Sequence, residues 1–110
     1  MPKSPTYRLL IECFRAHSGI YHVTQAQWAA AARRHRALGK RVTATIVWDR
    51  EGIDEALQTA DMMITPNPPR ERLRERAPRL KWIQNRGAGI NHLMPLDWLP
   101  SDLEIGRAHV

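Results

Sequence analysis

The sequence predicts an α/β protein built on an open parallel sheet with flanking helices. Along the 110 residues, short runs that are apolar or rich in β-branched residues alternate with segments of helical pattern. We expect strands at residues 7–14, 42–48, 62–65 and 80–84. Because strands that alternate with helices are joined by right-handed crossovers, these strands should run parallel and bind ligands beyond their carboxyl ends.

The helical segments are predicted from the residues at their ends. Thr24 can cap the free amides of a first turn, and Gln27, three residues later, completes a capping box. This helix should run to about Leu38 and be ended by Gly39, a residue typical of helix ends. Shorter helices are predicted over residues 53–59 and 69–77, the second between prolines.

Composition excludes several classes of protein. The hydrophobic fraction of 43% and the charged fraction of 25% are typical of soluble globular chains, which argues against disorder along the whole length. The single cysteine, Cys13, excludes an internal disulfide and a cysteine-based zinc site, and we expect its thiol to be buried. No apolar stretch approaches the roughly 18 residues that cross a bilayer. We therefore expect a cytoplasmic protein without a membrane partner.

The net charge of +6 raises the question of a nucleic-acid partner. Of the 17 lysines and arginines, 11 fall in two groups, residues 33–41 and 70–81. In the second group, Glu71 and Glu75 stand three and four residues before an arginine, which is the spacing of helical ion pairs. Mixed charge at this spacing is typical of a solvated helix face, so we expect no nucleic-acid partner.

Two loops are predicted to leave carboxyl ends of strands, at residues 65–68 and 85–91. Glycines in the second loop let the backbone approach a ligand, and consecutive amides before a helix start can hold an anion. Gly87 and Gly89 after a strand also resemble the start of a dinucleotide fingerprint, but His92 stands where its third glycine is expected. A plain turn is the third interpretation.

The wider context of this loop resembles a known family. Residues 80–93, LKWIQNRGAGINHL, resemble a signature of the D-isomer-specific 2-hydroxyacid dehydrogenases, in which an LKxI strand leads into a small-x-Gly-hydrophobic-Asp/Asn-His turn. Residues 60–65, ADMMIT, match the family's AD-apolar-apolar strand, and residues 73–80, LRERAPRL, match its L...APxL helix and link. The resemblance covers residues 54–103.

The resemblance implies a truncated N-terminal substrate-binding domain, an incomplete flavodoxin-like or Rossmann-like fold. It implies an NAD(P)-dependent oxidoreductase that acts on the CH–OH group of a D-2-hydroxy acid or reduces a 2-keto acid, in a parent that is a homodimer. The family's catalytic residues and nicotinamide fingerprint lie downstream, in a cofactor-binding domain that this chain lacks. The resemblance therefore implies no catalytic and no cofactor-binding residue here, and we expect the fragment to be inactive.

The family resemblance also implies roles for particular residues. The main-chain amides of Ala88 and Gly89 would hold the substrate carboxylate. The other substrate-binding candidates are Arg86, Gly87 and Asn67. Gly87 stands where Ser or Thr is frequent in the family, and Asn91 where Asp is commoner. His92 belongs to the family's turn but is not its catalytic histidine.

The last residues have a different expected origin. Residues 104–110 can be encoded by GAG ATC GGA AGA GCA CAC GTC, a string that contains a common sequencing-adapter sequence. Members of the family would instead continue here with the sequence of another strand of their own. We therefore expect residues 1–103 to be a partial substrate-binding domain and residues 104–110 to be a non-native tail, which the codons of the source DNA can test.

The alternative is a non-catalytic α/β binding or signalling module. A receiver-type module needs an acidic cluster at the end of its first strand and a phospho-acceptor aspartate after its third. Here Glu12 is the only early acid, and Thr65, Pro66 and Asn67 follow the third strand. These residues disfavour a receiver. Whichever interpretation holds, an incomplete domain would leave an apolar face or edge uncovered, so we expect loose packing or aggregation in isolation.

Overall fold

A computed structural model describes residues 6–17, 19, 22–85 and 96–107. The elements follow in the order β1 (Tyr7–Cys13), α1 (Gln25–Arg34), α2 (Arg36–Gly39), β2 (Val42–Trp48), α3 (Ile53–Leu57), β3 (Met62–Thr65), α4 (Leu73–Arg76), β4 (Trp82–Asn85), a 3₁₀ helix (Leu96–Trp98) and β5 (Glu104–Arg107). The predicted α/β class and the four predicted strands are confirmed, with ends that shift by at most two residues.

The five strands form one open sheet in the order β2-β1-β3-β4-β5, and every neighbouring pair is parallel. The chain passes from β1 to β2 on one side and then returns to place β3 on the other side of β1. The direction of strand placement therefore reverses at β1 and β3, which is where sheets of this kind leave a crevice at their carboxyl edge.

Apolar side chains cover both faces of the central strands. Leu10, Met63 and Ile83 belong to a core on one face, together with residues of α3, α4 and the 3₁₀ helix. Leu9 and Ile11 belong to a second core on the opposite face, against which Trp28 of α1 packs. Burial of successive β1 residues on both faces explains why its sequence is nearly continuous in apolar residues.

The first predicted helix differs from the structure at its carboxyl end. The capping box of Thr24 and Gln27 is present, as predicted, but α1 ends at Arg34. His35 leaves helical geometry with φ −126° and ψ 62°, and the chain resumes as the short helix α2. This break could not be predicted from the residue types, because His35 has neither the backbone freedom of glycine nor the restriction of proline.

The helix predicted over residues 69–77 is shorter than expected and comprises Leu73–Arg76 alone. Arg72, immediately before it, has a left-handed backbone with φ 53° and ψ 40°, which a continuous right-handed helix cannot contain. The expected pairs of Glu71 with Arg74 and of Glu75 with Arg79 are also replaced: Arg74 binds Asp102 and Arg79 binds Asp61. Tertiary packing thus decides which carboxylates these arginines meet.

Residues 104–107 form the edge strand β5, where Glu104 is paired with Trp82. Their origin as non-native sequence stays a prediction. In the part of the chain that the structure describes, no helix is long and apolar enough to span a bilayer.

Candidate functional site at the carboxyl edge of the sheet

Glu12 is a carboxylic acid buried near the carboxyl end of β1. It follows Leu10 by two residues and therefore lies on the same face of the sheet, where its side chain is completely buried, with 0% exposure. Buried acids in apolar strands require a partner, because removing a charge from water is costly. The residues around Glu12 therefore define the candidate site.

Two side chains contact the same oxygen of Glu12. The hydroxyl of Thr65, at the end of β3, donates to Oε1 at 2.9 Å. The guanidinium of Arg50, from the turn after β2, donates to the same atom and forms an ion pair with it. The second oxygen, Oε2, is buried and has no hydrogen-bond partner among the described residues. One oxygen of this buried carboxyl thus accepts two hydrogen bonds, whereas the other accepts none from a described residue.

Burial raises the pKa of the Glu12 carboxyl above its ordinary value. The hydrogen bond from Thr65 and the charge of Arg50 oppose this shift without cancelling it. A carboxyl whose pKa is raised by burial, at the reversal point of a parallel sheet, marks a candidate functional site.

An unusual backbone holds Arg50 at this position. Asp49 and Arg50 both have positive φ values, 53° and 67°. Consecutive left-handed non-glycine residues are strained and persist only where the surroundings fix them. Here the Arg50 guanidinium lies 5.4 Å from the centre of the Phe14 ring, and Asp49 accepts hydrogen bonds from the backbone and side chain of Arg15. The backbone hydrogen bond from Arg15 is the main reason why the pKa of Asp49 is lowered.

Thr65 connects the buried carboxyl to the loop after β3. Its side chain is fully buried. Its hydroxyl oxygen accepts a hydrogen bond from the main-chain N–H of Asn67 at 3.1 Å, and its O–H donates one to Glu12. Asn67 itself is exposed, and its side-chain amide makes no hydrogen bond to another described residue. Asn67, a predicted site residue, is therefore held by its backbone and presents its carboxamide at the edge.

The remaining predicted substrate-binding residues lie outside the described residues: Arg86, Gly87, Ala88 and Gly89, with their neighbours Asn91 and His92. Their starting point is described, because Asn85 ends β4 and is paired in register with Thr65 of β3. The two loops selected from the sequence thus leave adjacent strands at the same level of the same edge.

Comparison of the chain with models of protein families, with curated proteins and with solved structures finds no match. Among the described residues, no group of three or more histidine, cysteine, aspartate or glutamate side chains is arranged to hold a metal ion.

Sequence reasoning missed Glu12, Arg50 and the hydroxyl of Thr65 as members of one cluster. A signal for Glu12 was present: it is the single charged residue in the buried part of β1, and such residues are seldom buried without a specific reason. No sequence signal indicated Arg50, because its position depends on the strained turn that follows β2.

Proposed function

We propose that this chain is the substrate-binding part of an NAD(P)-dependent oxidoreductase that acts on the CH–OH group of a D-2-hydroxy acid or reduces the corresponding 2-keto acid. The observation that supports this most is the register of β3 and β4, in which Thr65 pairs with Asn85. A small acid bound between the loops that follow these strands would contact both, as the resemblance requires.

The proposed binding chemistry is capture of a carboxylate by main-chain N–H groups. Ala88 and Gly89 supply these groups, and Arg86 adds positive charge. The exposed carboxamide of Asn67 is available to a polar group on the same ligand. Glu12 does not oppose the anion, because its charge is neutralised by Arg50.

The residues at the end of β1 do not fit a nicotinamide dinucleotide. A pyrophosphate needs a glycine-rich turn after the first strand and the amides of the helix that follows. Here Phe14 and Arg15 follow β1, and the buried carboxyl of Glu12 lies at its end. The proposal therefore assigns the cofactor, and the hydride chemistry that it supplies, to a separate domain, and it expects this chain alone to bind substrate without turning it over.

The experiment is a titration of the ¹⁵N-labelled chain with D-lactate, followed by NMR. The amide signals of Ala88, Gly89 and Asn67 should shift with one common dissociation constant. Lactamide, which keeps the hydroxyl group but lacks the negative charge, should leave these signals unchanged, because the N–H groups are proposed to bind the carboxylate. Shifts confined to other parts of the chain, or equal shifts with lactamide, would contradict the proposal.

Two substitutions at one position separate the main-chain N–H from the side chain. Ala88→Pro removes the amide proton, whereas Ala88→Ser keeps it. A charge-assisted hydrogen bond contributes about 1.5–3 kcal/mol, so Ala88→Pro should weaken D-lactate binding by about tenfold or more. Ala88→Ser should bind as the unmodified chain does. Equal affinities of the two variants would refute the role of this N–H.

A second candidate function is a non-catalytic small-ligand or signalling module. The strand order β2-β1-β3-β4-β5 supports both candidates, because it is the order of flavodoxin-like domains in general. The two candidates differ in what the longer reading frame encodes. A dehydrogenase requires a complete GxGxxG motif followed by an arginine, a glutamate and a histidine downstream of Leu103, and a module does not.

A further inference from the structure

Four cations lie at the corner between α1 and α2, in a stretch of the chain that has no acidic residue. No residue between Cys13 and Trp48 is an aspartate or glutamate. Among the described residues, no carboxylate forms an ion pair with any of the four, which are Arg33, Arg34, Arg36 and Lys40. Six arginines elsewhere are paired with carboxylates: Arg15, Arg50, Arg72, Arg74, Arg76 and Arg79. The corner is thus a positively charged surface that no carboxylate of the described residues compensates.

Two adjoining pockets lie at this corner. The first is a shallow pocket of about 270 Å³ lined by Arg33, Arg36 and Lys40. The second, of about 170 Å³, is lined mainly by apolar side chains, among them Trp28, Leu38 and Val42. Ala32 and Gly39 line both pockets, so a cationic site and an apolar site share one wall.

Leu38 is the most exposed large apolar side chain among the described residues, at 63%. It lies between Arg36 and Lys40 in sequence and lines the apolar pocket. If a partner buried this exposed leucine, the apolar contact would contribute about 2 kcal/mol to binding.

We propose that this corner is a docking surface for an acidic segment of a partner protein. The segment places one aliphatic side chain in the pocket beside Leu38 and its carboxylates against the cations around Gly39. Opposite charge supplies steering and orientation, while the apolar contact supplies burial. This surface is separate from the carboxyl edge of the sheet, and the proposal does not depend on the proposed oxidoreductase function.

The character of the apolar pocket favours a peptide over other anionic partners. Single-stranded nucleic acid binds by stacking its bases on exposed aromatic rings, but the aromatic residue of this pocket, Trp28, is half-buried and packs against the core. An anionic bilayer would gain burial from Leu38 alone, which is little for a membrane contact. A single aliphatic side chain flanked by carboxylates matches both pockets.

The test measures binding of a fluorescein-labelled peptide in which one leucine is flanked on both sides by glutamates. Fluorescence anisotropy should show saturable binding that weakens with added salt, since exposed charges are screened over about 8 Å at physiological ionic strength. A peptide with alanine in place of leucine should bind more weakly. Two variants of the protein should each weaken binding: the double variant Arg33→Gln with Arg36→Gln by about tenfold, and Leu38→Ala by a smaller factor.

The matched control is the double variant Arg72→Gln with Arg79→Gln, which removes the same charge from the other side of the molecule. It should bind the peptide with unchanged affinity. Circular dichroism melts of all variants check that each is folded, and the substituted side chains are exposed. The proposal is overturned if the peptide does not bind, if the control loses as much affinity as the corner variant, or if oligo(dT) or vesicles containing phosphatidylserine bind more tightly than the peptide.

Discussion

Thr65 Oγ1 donates a hydrogen bond of 2.9 Å to Glu12 Oε1, from the end of β3 to its neighbour β1. Both side chains are fully buried, and the same hydroxyl accepts the N–H of Asn67. A single hydroxyl group therefore links the buried carboxyl to the exposed loop that carries a predicted substrate-binding residue. This relationship makes the position of the loop depend on a group in the core.

Removing the Thr65 hydroxyl should destabilise the protein. Thr65→Val keeps the shape of the side chain but leaves the N–H of Asn67 and one contact of Glu12 unsatisfied, which costs about 1–3 kcal/mol for buried groups. Thr65→Ser retains the hydroxyl and should lose less. Urea denaturation of the two variants measures the difference. A valine variant as stable as the unmodified chain would show that these hydrogen bonds contribute nothing.

Glu12→Gln should change how stability depends on pH. Folding raises the pKa of Glu12 above the ordinary value of 4.5, so below that value the carboxyl is protonated in both the folded and the unfolded chain. As pH rises above 4.5, the unfolded chain ionises first, and the free energy of unfolding falls until the folded carboxyl ionises too. The glutamine variant lacks this fall.

The measurement is the free energy of unfolding from urea titrations between about pH 4.5 and neutral pH. As pH rises, the free energy of unfolding of the unmodified chain should fall relative to that of Glu12→Gln. Glu55→Gln, which alters an exposed glutamate on α3, is the control and should give a small difference at every pH. A difference that instead favours the unmodified chain at higher pH would mean that Arg50 and Thr65 outweigh burial.

The sequence predicted strands better than helices, for a physical reason. The ends of β2 and β3 agree with the prediction, because β-branched and apolar runs bounded by turn residues report burial directly. The lengths of α1 and α4 were overestimated, because their limits are set by His35 and Arg72, whose backbones leave right-handed helical geometry without a glycine or proline to signal it.

The candidate site was predictable only in its location. Alternating elements predicted that ligands bind at the carboxyl edge, and the loop containing Asn67 is at that edge. The cluster of Glu12, Arg50 and Thr65 was not predicted, since it joins residues up to 53 positions apart through side chains. Such contacts depend on register, which a single sequence does not report.

The variant Arg72→Gly should be more stable than the variant Arg72→Ala. Its φ of 53° is a left-handed conformation that costs an L-residue about 1 kcal/mol or more, and glycine adopts it without this cost. Arg72→Gly and Arg72→Ala both lose the exposed pair with Glu75, so their difference isolates the backbone. Thermal denaturation should show the glycine variant to be the more stable. The reverse order would indicate that Arg72 is not left-handed in solution.

Gly39→Ala should destabilise the protein even though alanine is the better helix former. A Cβ at Gly39 would lie 2.6 Å from the carbonyl oxygen of Ala32 and 3.0 Å from its Cα, so α2 could no longer pack against α1 as it does. Alanine gains about 1 kcal/mol of helix propensity, whereas overpacking against backbone costs about 1–3 kcal/mol. Urea denaturation should therefore show a net loss. Gly19→Ala, where an added Cβ meets nothing within 4 Å, should change stability by less than about 0.5 kcal/mol. If Gly39→Ala proved the more stable of the two, the close approach of α2 to Ala32 would be wrong, and with it the shared wall of the two pockets at this corner.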